Sequence, residues 1–155
     1  MKIRGIRLAA KNEYSKYIYS LLGGINIKGY RWYVSQTEIL YYDEIKQRAE
    51  SYNFSGKLMS GEEFLQLIST SDQLVYLANI QAYPLDCPIQ KIISYQDFLD
   101  SNCRMILLCA DCECYDIYCK DDKDIQLIYA NALNLHFNGV EYITDENDER
   151  TGLCL

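Results

Sequence analysis

Several residue types are scarce in this sequence, and it has no long apolar run. Its 155 residues include one histidine, one tryptophan and two prolines. No apolar run approaches the ~20 residues that a membrane-spanning helix needs, and the longest reaches only from Met105 to Ala110. The basic start, MKIRGIRLAAKN, lacks the continuous apolar segment of a signal peptide. These absences predict a cytoplasmic protein whose seven cysteines are reduced thiols.

Motifs that mark common enzyme and cofactor-binding classes are also missing. No glycine-rich phosphate loop surrounds Gly23 and Gly24, and no Gly-x-Ser-x-Gly nucleophile elbow is present. The acidic run Asp145–Glu149 has Arg150 where a calcium loop requires glycine, which excludes an EF-hand. A net charge of −7 disfavours nucleic acid and anionic membranes as partners. The sequence therefore favours a non-enzymatic protein that carries no cofactor.

Composition and periodicity predict an α+β fold in one domain. Hydrophobic residues make up 49% of the chain and charged residues 24%, which is ordinary for a globular protein. Strand-like and helix-like segments follow each other irregularly and include hairpins. This order predicts a single-layer mixed, largely antiparallel sheet of about five to seven strands covered by helices. We expect residues 1–155 to form one domain that ends in a short, solvated acidic tail at 145–155.

Apolar spacing locates the elements of the first third of the chain. A helix is predicted from a cap at Asn12 to Leu22, because its apolar residues recur with helical period. Two aromatic and β-branched runs, Tyr30–Ser35 and Glu38–Tyr42, predict a hairpin that turns at Gln36 and Thr37. Residues 43–58 are polar and mixed, which predicts a loop with a short helix.

Capping patterns locate the remaining helices. Serine followed three residues later by an acid marks two starts, Ser60 with Glu63 and Ser94 with Asp97. The longest helix is predicted between Asp121 and Gly139. Further strands are predicted at residues 2–8, 73–83, 104–110, 114–120 and 140–144.

Four clustered cysteines, Cys109, Cys112, Cys114 and Cys119, form the one pattern with the look of a metal site. Zinc prefers four thiolate or imidazole ligands, usually from two separated pairs, whereas this cluster has a single Cys-x-x-Cys. Cys109 also lies in a predicted buried strand, where a free cysteine behaves as a small hydrophobe. Structural thiols are therefore favoured, and a zinc-binding protein is the alternative.

The single histidine, His136, falls on the last turn of the longest predicted helix. A Cys–His or Ser–His catalytic pair would have to use this residue. Because the sequence holds no nucleophile motif to meet it, a structural histidine is favoured. A small enzyme, with His136 beside a cysteine or acid brought close by folding, is the second alternative.

Tyrosine is the abundant aromatic residue, with fifteen copies against four phenylalanines. Its ring supplies apolar area and its hydroxyl tolerates water, so it favours interfaces. Tyr33, Tyr41 and Tyr42 lie in the predicted hairpin beside Asp43 and Glu44. These five residues are the candidate binding site.

Charge is divided unevenly along the chain. Residues 1–60 carry ten basic and five acidic side chains, a net +5, and residues 61–155 carry five and seventeen, a net −12. An acidic surface of this kind selects a basic protein partner. The same division would also let copies of the chain associate head to tail as a homo-oligomer.

Four stretches of the sequence resemble a known family. The opening MKIRGIRLAAKNEYSKYIYSLLGGI, the segment ANIQAYP, and the later YCKDDKD and EYITDENDERTGL are similar to a small uncharacterised bacterial family, a domain of unknown function found mainly in spore-forming Gram-positive bacteria. The resemblance covers essentially the whole chain and implies a single domain. It implies no activity, cofactor or site residue.

Overall fold

The computed structural model describes residues 1–155 and contains one eight-stranded antiparallel sheet with four α-helices. The strands are β1 (Ile3–Ala9), β2 (Tyr30–Asp43), β3 (Arg48–Tyr52), β4 (Lys57–Met59), β5 (Gln73–Pro84), β6 (Met105–Ala110), β7 (Cys114–Cys119) and β8 (Asn138–Thr144). The helices are α1 (Tyr17–Leu21), α2 (Gly61–Ser69), α3 (Tyr95–Asp100) and α4 (Asp122–Asn134). The predicted α+β class and antiparallel sheet are confirmed, although the sheet has more strands than expected.

The strand order across the sheet is β3-β2-β5-β6-β7-β1-β8, with β4 pairing the same edge of β2 as β3. All pairings are antiparallel. Strands β3 and β8 are consequently the two ends of the sheet. The longest helix, α4, has 13 residues, which is fewer than a membrane-spanning helix needs.

One face of the sheet packs against α1, α2 and α4, and we call it the helical face. Trp32 of β2 is fully buried there. Its ring stacks on Phe64 of α2 with 4.2 Å between centroids, and its Nε1–H donates to the Ile27 carbonyl oxygen at 2.9 Å. The largest side chain of the core thus has its one polar atom satisfied, as a buried indole requires.

The hairpin predicted within residues 30–42 is wrong, because these residues form the single 14-residue strand β2. Its pairing with β5 shifts register between Val34 and Gln36 and again between Glu38 and Ile39. A bulge of this kind places an extra residue in one strand, and the pairing resumes beyond it. Gln36 and Thr37 also lack the glycine or asparagine that a tight hairpin turn favours.

Residues 43–58, predicted as a loop with a short helix, form β3 and β4 instead. The Asp43 carboxylate accepts hydrogen bonds from the Ile45 and Lys46 N–H groups, both at 3.0 Å, and so closes the turn into β3. These two short strands account for the larger strand count.

The predicted caps of the last three helices are confirmed. Ser60 Oγ accepts from the Glu63 N–H at 3.1 Å. Ser94 and Asp97 form a reciprocal capping box at the start of α3. The Asp121 side chain accepts from the backbone N–H two residues later and caps α4. The starts of these helices could be predicted because each cap is a local interaction between neighbours in sequence.

Two predicted helix limits are wrong. Helix α1 begins at Tyr17 rather than after Asn12, because Ser15 forms a backbone bridge with Gln73 that holds the preceding chain extended. Helix α4 ends at Asn134, well before Gly139. Gly139 lies in β8 with a φ of +58°.

The second face of the sheet is covered by α3, by the loop that precedes it and by the C-terminal residues, which enclose a smaller core. Residues 145–155, predicted to be a solvated tail, run along this face with Asp145, Glu146 and Glu149 exposed, and we call them the C-terminal strap. Leu153 is 2% exposed, and the Asp148 side chain is also 2% exposed. The solvated state predicted for this segment is therefore wrong for these two side chains.

Candidate functional site

Asp116 of β7 is a buried acid that joins the strap to the sheet. Its Oδ1 accepts from Arg7 Nε at 2.8 Å, and its Oδ2 accepts from Arg150 Nε at 3.1 Å. The hydrogen bond to Asp116 raises the pKa of Arg7 above its ordinary value. Because Arg150 belongs to the strap and Arg7 to β1, one carboxylate binds three segments together.

Asp148 makes a second set of contacts between the strap and the sheet. It accepts from Arg4 Nη1 and from the Tyr118 hydroxyl, both at 3.1 Å. Burial, followed by the charge of Asp148, raises the pKa of Tyr118. Farther along the strap, Asn79 Nδ2 donates to the Leu153 carbonyl oxygen at 3.2 Å. The buried charges of this face therefore serve the attachment of the strap.

The remainder of the second face is uncovered. Leu40 of β2 pairs with Leu74 of β5, and Leu77 of β5 pairs with Ala110 of β6. Tyr42 lies two residues beyond Leu40 and so shares its side of the strand. The three leucines are half-buried and pack into neither core, and Tyr42 is 49% exposed. We call these five residues the open face.

Three acids border the open face. Glu38 pairs with Leu77 in the sheet, and Asp111 and Glu113 lie in the turn between β6 and β7. All three side chains are exposed, and none forms a salt bridge. Burial raises the pKa of Cys112 in the same turn, and the charges of these acids raise it further. The border of the open face is therefore negative and uncompensated.

Tyr42 and Glu44 also line an open cavity of about 590 Å³ at the end of the sheet. Tyr14, Lys16 and Asp72 contribute the other ring and charges of this cavity. It adjoins the open face through Tyr42. Its aromatic rings and carboxylates can contact a polar or cationic side chain, and it contains no histidine or cysteine that could act as a nucleophile or base.

The five predicted binding residues do not form one patch. Tyr33 packs against the smaller core, and the ring of Tyr41 stacks on a tyrosine of β3 with 4.0 Å between centroids. The Asp43 carboxylate is engaged by the turn into β3. Tyr42 and Glu44 are exposed and lie together. Neighbouring side chains of a continuous strand point to opposite faces, which separates Tyr41 from Tyr42.

The leucines of the open face were missed from the sequence. An apolar residue in a strand has the same local pattern whether or not another element covers it. One signal was present: Glu38, Leu40 and Tyr42 alternate along β2 and therefore share a side. An acid beside two apolar side chains on one side of a strand indicates a face that reaches solvent.

The four clustered thiols do not converge. Cys114 and Cys119 lie at opposite ends of β7, which separates their Cα atoms by ~17 Å in an extended strand. Cys109, Cys112 and Cys119 are buried, and Cys114 is exposed. Burial raises the pKa of Cys109 to about 12, which disfavours the thiolate that zinc requires. No three His, Cys, Asp or Glu side chains are grouped to hold a metal ion, so the structure provides no ligand set for the alternative zinc hypothesis.

His136 does not lie in the last turn of a helix as predicted. It follows the end of α4 in a left-handed conformation, with a φ of +58°, and its side chain is exposed. It lines none of five cavities on the surface of the protein. The structure therefore gives the His136 hypothesis no partner cysteine or acid.

Comparison with known proteins identifies relatives over almost the entire chain. Residues 3–154 match the family described as "Protein of unknown function (DUF2691)". The "Uncharacterized protein YncE" of Bacillus subtilis (strain 168) is 33% identical over 152 residues, which cover 98% of this chain and 99% of that protein. No solved structure matches the chain. The predicted resemblance is confirmed, and the chain belongs to DUF2691, a family of proteins of unknown function.

Proposed function

We propose that this protein is a non-enzymatic, cytoplasmic binding protein whose open face receives a basic segment of another protein. The observation that carries the proposal is the incomplete second layer of the sheet. Leu40, Leu74 and Leu77 belong to no core, although the rest of the same face is covered by α3 and the strap. A partly exposed apolar patch with a polar border is typical of an interaction site.

Charge supports a basic partner. Glu38, Asp111 and Glu113 border the leucines without a salt bridge in the structure. Opposite charge on the partner would steer its approach and fix its orientation, while the apolar contact would supply most of the affinity. The seven free thiols support a reducing compartment such as the cytoplasm.

Site-specific photo-crosslinking in cells that naturally make the protein tests this proposal. A photoreactive amino acid replaces Tyr42, which is 49% exposed, and in a matched control it replaces Leu133 of α4, which is 50% exposed. We expect an adduct at position 42 alone, formed with one identifiable protein of net positive charge. That protein, once purified, should bind the unmodified chain, and the affinity should fall by about tenfold or more when Leu77→Asp is introduced.

Three results would overturn the proposal. Equal adducts at positions 42 and 133 would show that the open face is not selective. Binding unchanged in a folded Leu77→Asp variant would place the contact elsewhere. An adduct between two copies of this chain would make the face a homo-oligomer interface instead.

A further inference from the structure

We infer that the segment received by the open face is a basic amphipathic α-helix, laid across β2, β5 and β6. This inference rests on the proposed function and specifies the form of the partner. It follows from the state of the two sheet edges, from the dimensions of the open face and from the way this chain covers the rest of its sheet.

The β8 edge is unsuited to an added strand. Outward-facing backbone groups at its end are already bonded: Asn147 Nδ2 donates to the Tyr142 carbonyl oxygen at 2.9 Å, and Asn147 Oδ1 accepts from the Thr144 N–H at 2.7 Å. The Asp148 N–H donates to the Thr144 carbonyl oxygen at 3.1 Å. Gly139, with a positive φ, interrupts the other end of the strand. The free edge between these points is too short for a stable added strand.

The opposite edge is divided and charged. β4 has three residues and β3 five. Between them, Ser55 Oγ accepts from the Thr37 N–H of β2 at 3.0 Å, so the gap is closed by a side chain. Glu50 forms ion pairs with Lys46 and Arg48 beside the outer strand. Short strands and charges of this kind are the usual protection against edge pairing, so the partner must contact the face of the sheet.

The open face has the dimensions of a short helix. Three strands at a spacing of about 4.8 Å make it ~14 Å wide, and the advance from Glu38 to Tyr42 makes it ~14 Å long. An α-helix is 10–12 Å across, so about three turns fill this area. Helices already cover the helical face, and α3 lies on the covered part of the second face. A helix on the open face would complete the same layer.

Two synthetic peptides of about 14 residues separate a helical partner from an extended one. Both contain equal numbers of leucine and lysine; one has leucine at helical spacing, and the other alternates leucine with lysine as a strand does. Each carries a fluorophore and is kept at nanomolar concentration so that it stays monomeric. Fluorescence anisotropy gives the affinity for the full chain, and circular dichroism gives the helix content of the complex.

We expect the helical-period peptide to bind at least about tenfold more tightly than the alternating peptide. The affinity should fall by about tenfold in Leu77→Asp and by about threefold in the double variant Glu38→Gln, Glu113→Gln, whose surface substitutions leave the fold intact. Leu133→Asp, on α4, should leave the affinity unchanged. Added salt should weaken binding to the unsubstituted chain and affect the double variant less.

The outcomes of these measurements distinguish a failure of the helical partner from a failure of the proposed function on which it rests. If the alternating peptide binds as tightly as the helical one and Leu77→Asp weakens both, the helix is wrong and the docking surface stands. If both peptides bind the unsubstituted, Leu77→Asp and charge-depleted proteins equally, or if neither peptide binds, the open face is not a basic docking surface and both proposals fail.

Discussion

Replacing Asp116 by asparagine tests how the C-terminal strap is attached. The carboxylate is 8% exposed and accepts from Arg7 at 2.8 Å and from Arg150 at 3.1 Å. Asparagine preserves the shape of the side chain and removes its charge. One of its terminal atoms becomes an N–H donor that faces a guanidinium, so at least one of the two attachments is lost.

The expected loss in the free energy of unfolding follows from the burial of the Asp116, Arg7 and Arg150 side chains. Breaking a buried ion pair from one side costs about 3–5 kcal/mol, because the remaining charge is left without a partner. The side chains of Arg7 and Arg150 are 32% and 25% exposed, so water offsets part of this cost. We therefore expect Asp116→Asn to lower the free energy of unfolding by about 2–3 kcal/mol.

Urea denaturation measures this loss, and Glu141→Gln is its matched control. Glu141 contacts the same Arg7 at 3.9 Å, but its side chain is 55% exposed, so the control should cost less than about 0.5 kcal/mol. A double-mutant cycle with Arg150→Met should give a coupling energy of about 1–2 kcal/mol, and amide exchange at Leu153 should quicken in each variant. A loss below about 1 kcal/mol for Asp116→Asn, or no coupling to Arg150, would refute the role given to this carboxylate.

Three further predictions test the packing, one turn and the thiols. Gly5→Ala should lower the free energy of unfolding by more than about 3 kcal/mol, because a Cβ there would lie 1.9 Å from the Ile117 carbonyl oxygen. Gly139→Ala is the control: its Cβ would have no atom within 4 Å, but the residue would keep a φ of +58°, so the loss in the same urea titration should be about 1 kcal/mol. Gln47→Gly should raise stability by about 0.5 kcal/mol, since Gln47 holds a φ of +54° in the exposed turn before β3; a lower urea midpoint would contradict this. At pH 8 a thiol reagent should modify exposed Cys114 and leave Cys109 unreacted until the protein unfolds. Burial raises the folded pKa of Cys109 to about 12, so its contribution to stability is present below the unfolded thiol pKa of ~8.5 and should be lost as the pH rises from there toward 12. Urea midpoints at pH 8 and pH 10 would show this loss.

Local signals in the sequence were reliable guides to local structure. Ser60, Ser94 and Asp121 each cap a helix through atoms only two or three residues away. Predictions from periodicity were wrong where contacts with a segment distant in sequence determine the secondary structure. Ser15 is kept out of a helix by Gln73, and β2 continues through Gln36 because β5 accommodates the bulge. Neither partner can be identified from the periodicity of the segment itself.

The candidate site, like the fold, could be predicted from the sequence only in part. The acidity of the surface and the choice of Tyr42 as a candidate binding residue could be proposed from composition and from the neighbours of Tyr42 in sequence. The exposure of Leu77 depends on where α3 and the strap come to rest on the sheet, and that position is set by contacts of high sequence separation, such as Arg4 with Asp148. A single sequence shows which residues can form such contacts, but it does not show which of these residues pair with each other.

The lone tryptophan gives this protein a built-in optical reporter. Trp32 is completely enclosed on the helical face, and the open face lies on the other side of the sheet. Its emission will shift to the red when the main core is exposed to water, while a molecule seated on Tyr42 and the leucines will leave that emission nearly unchanged. Tryptophan emission can thus distinguish a variant in which only the open face is altered from a variant that has lost its fold.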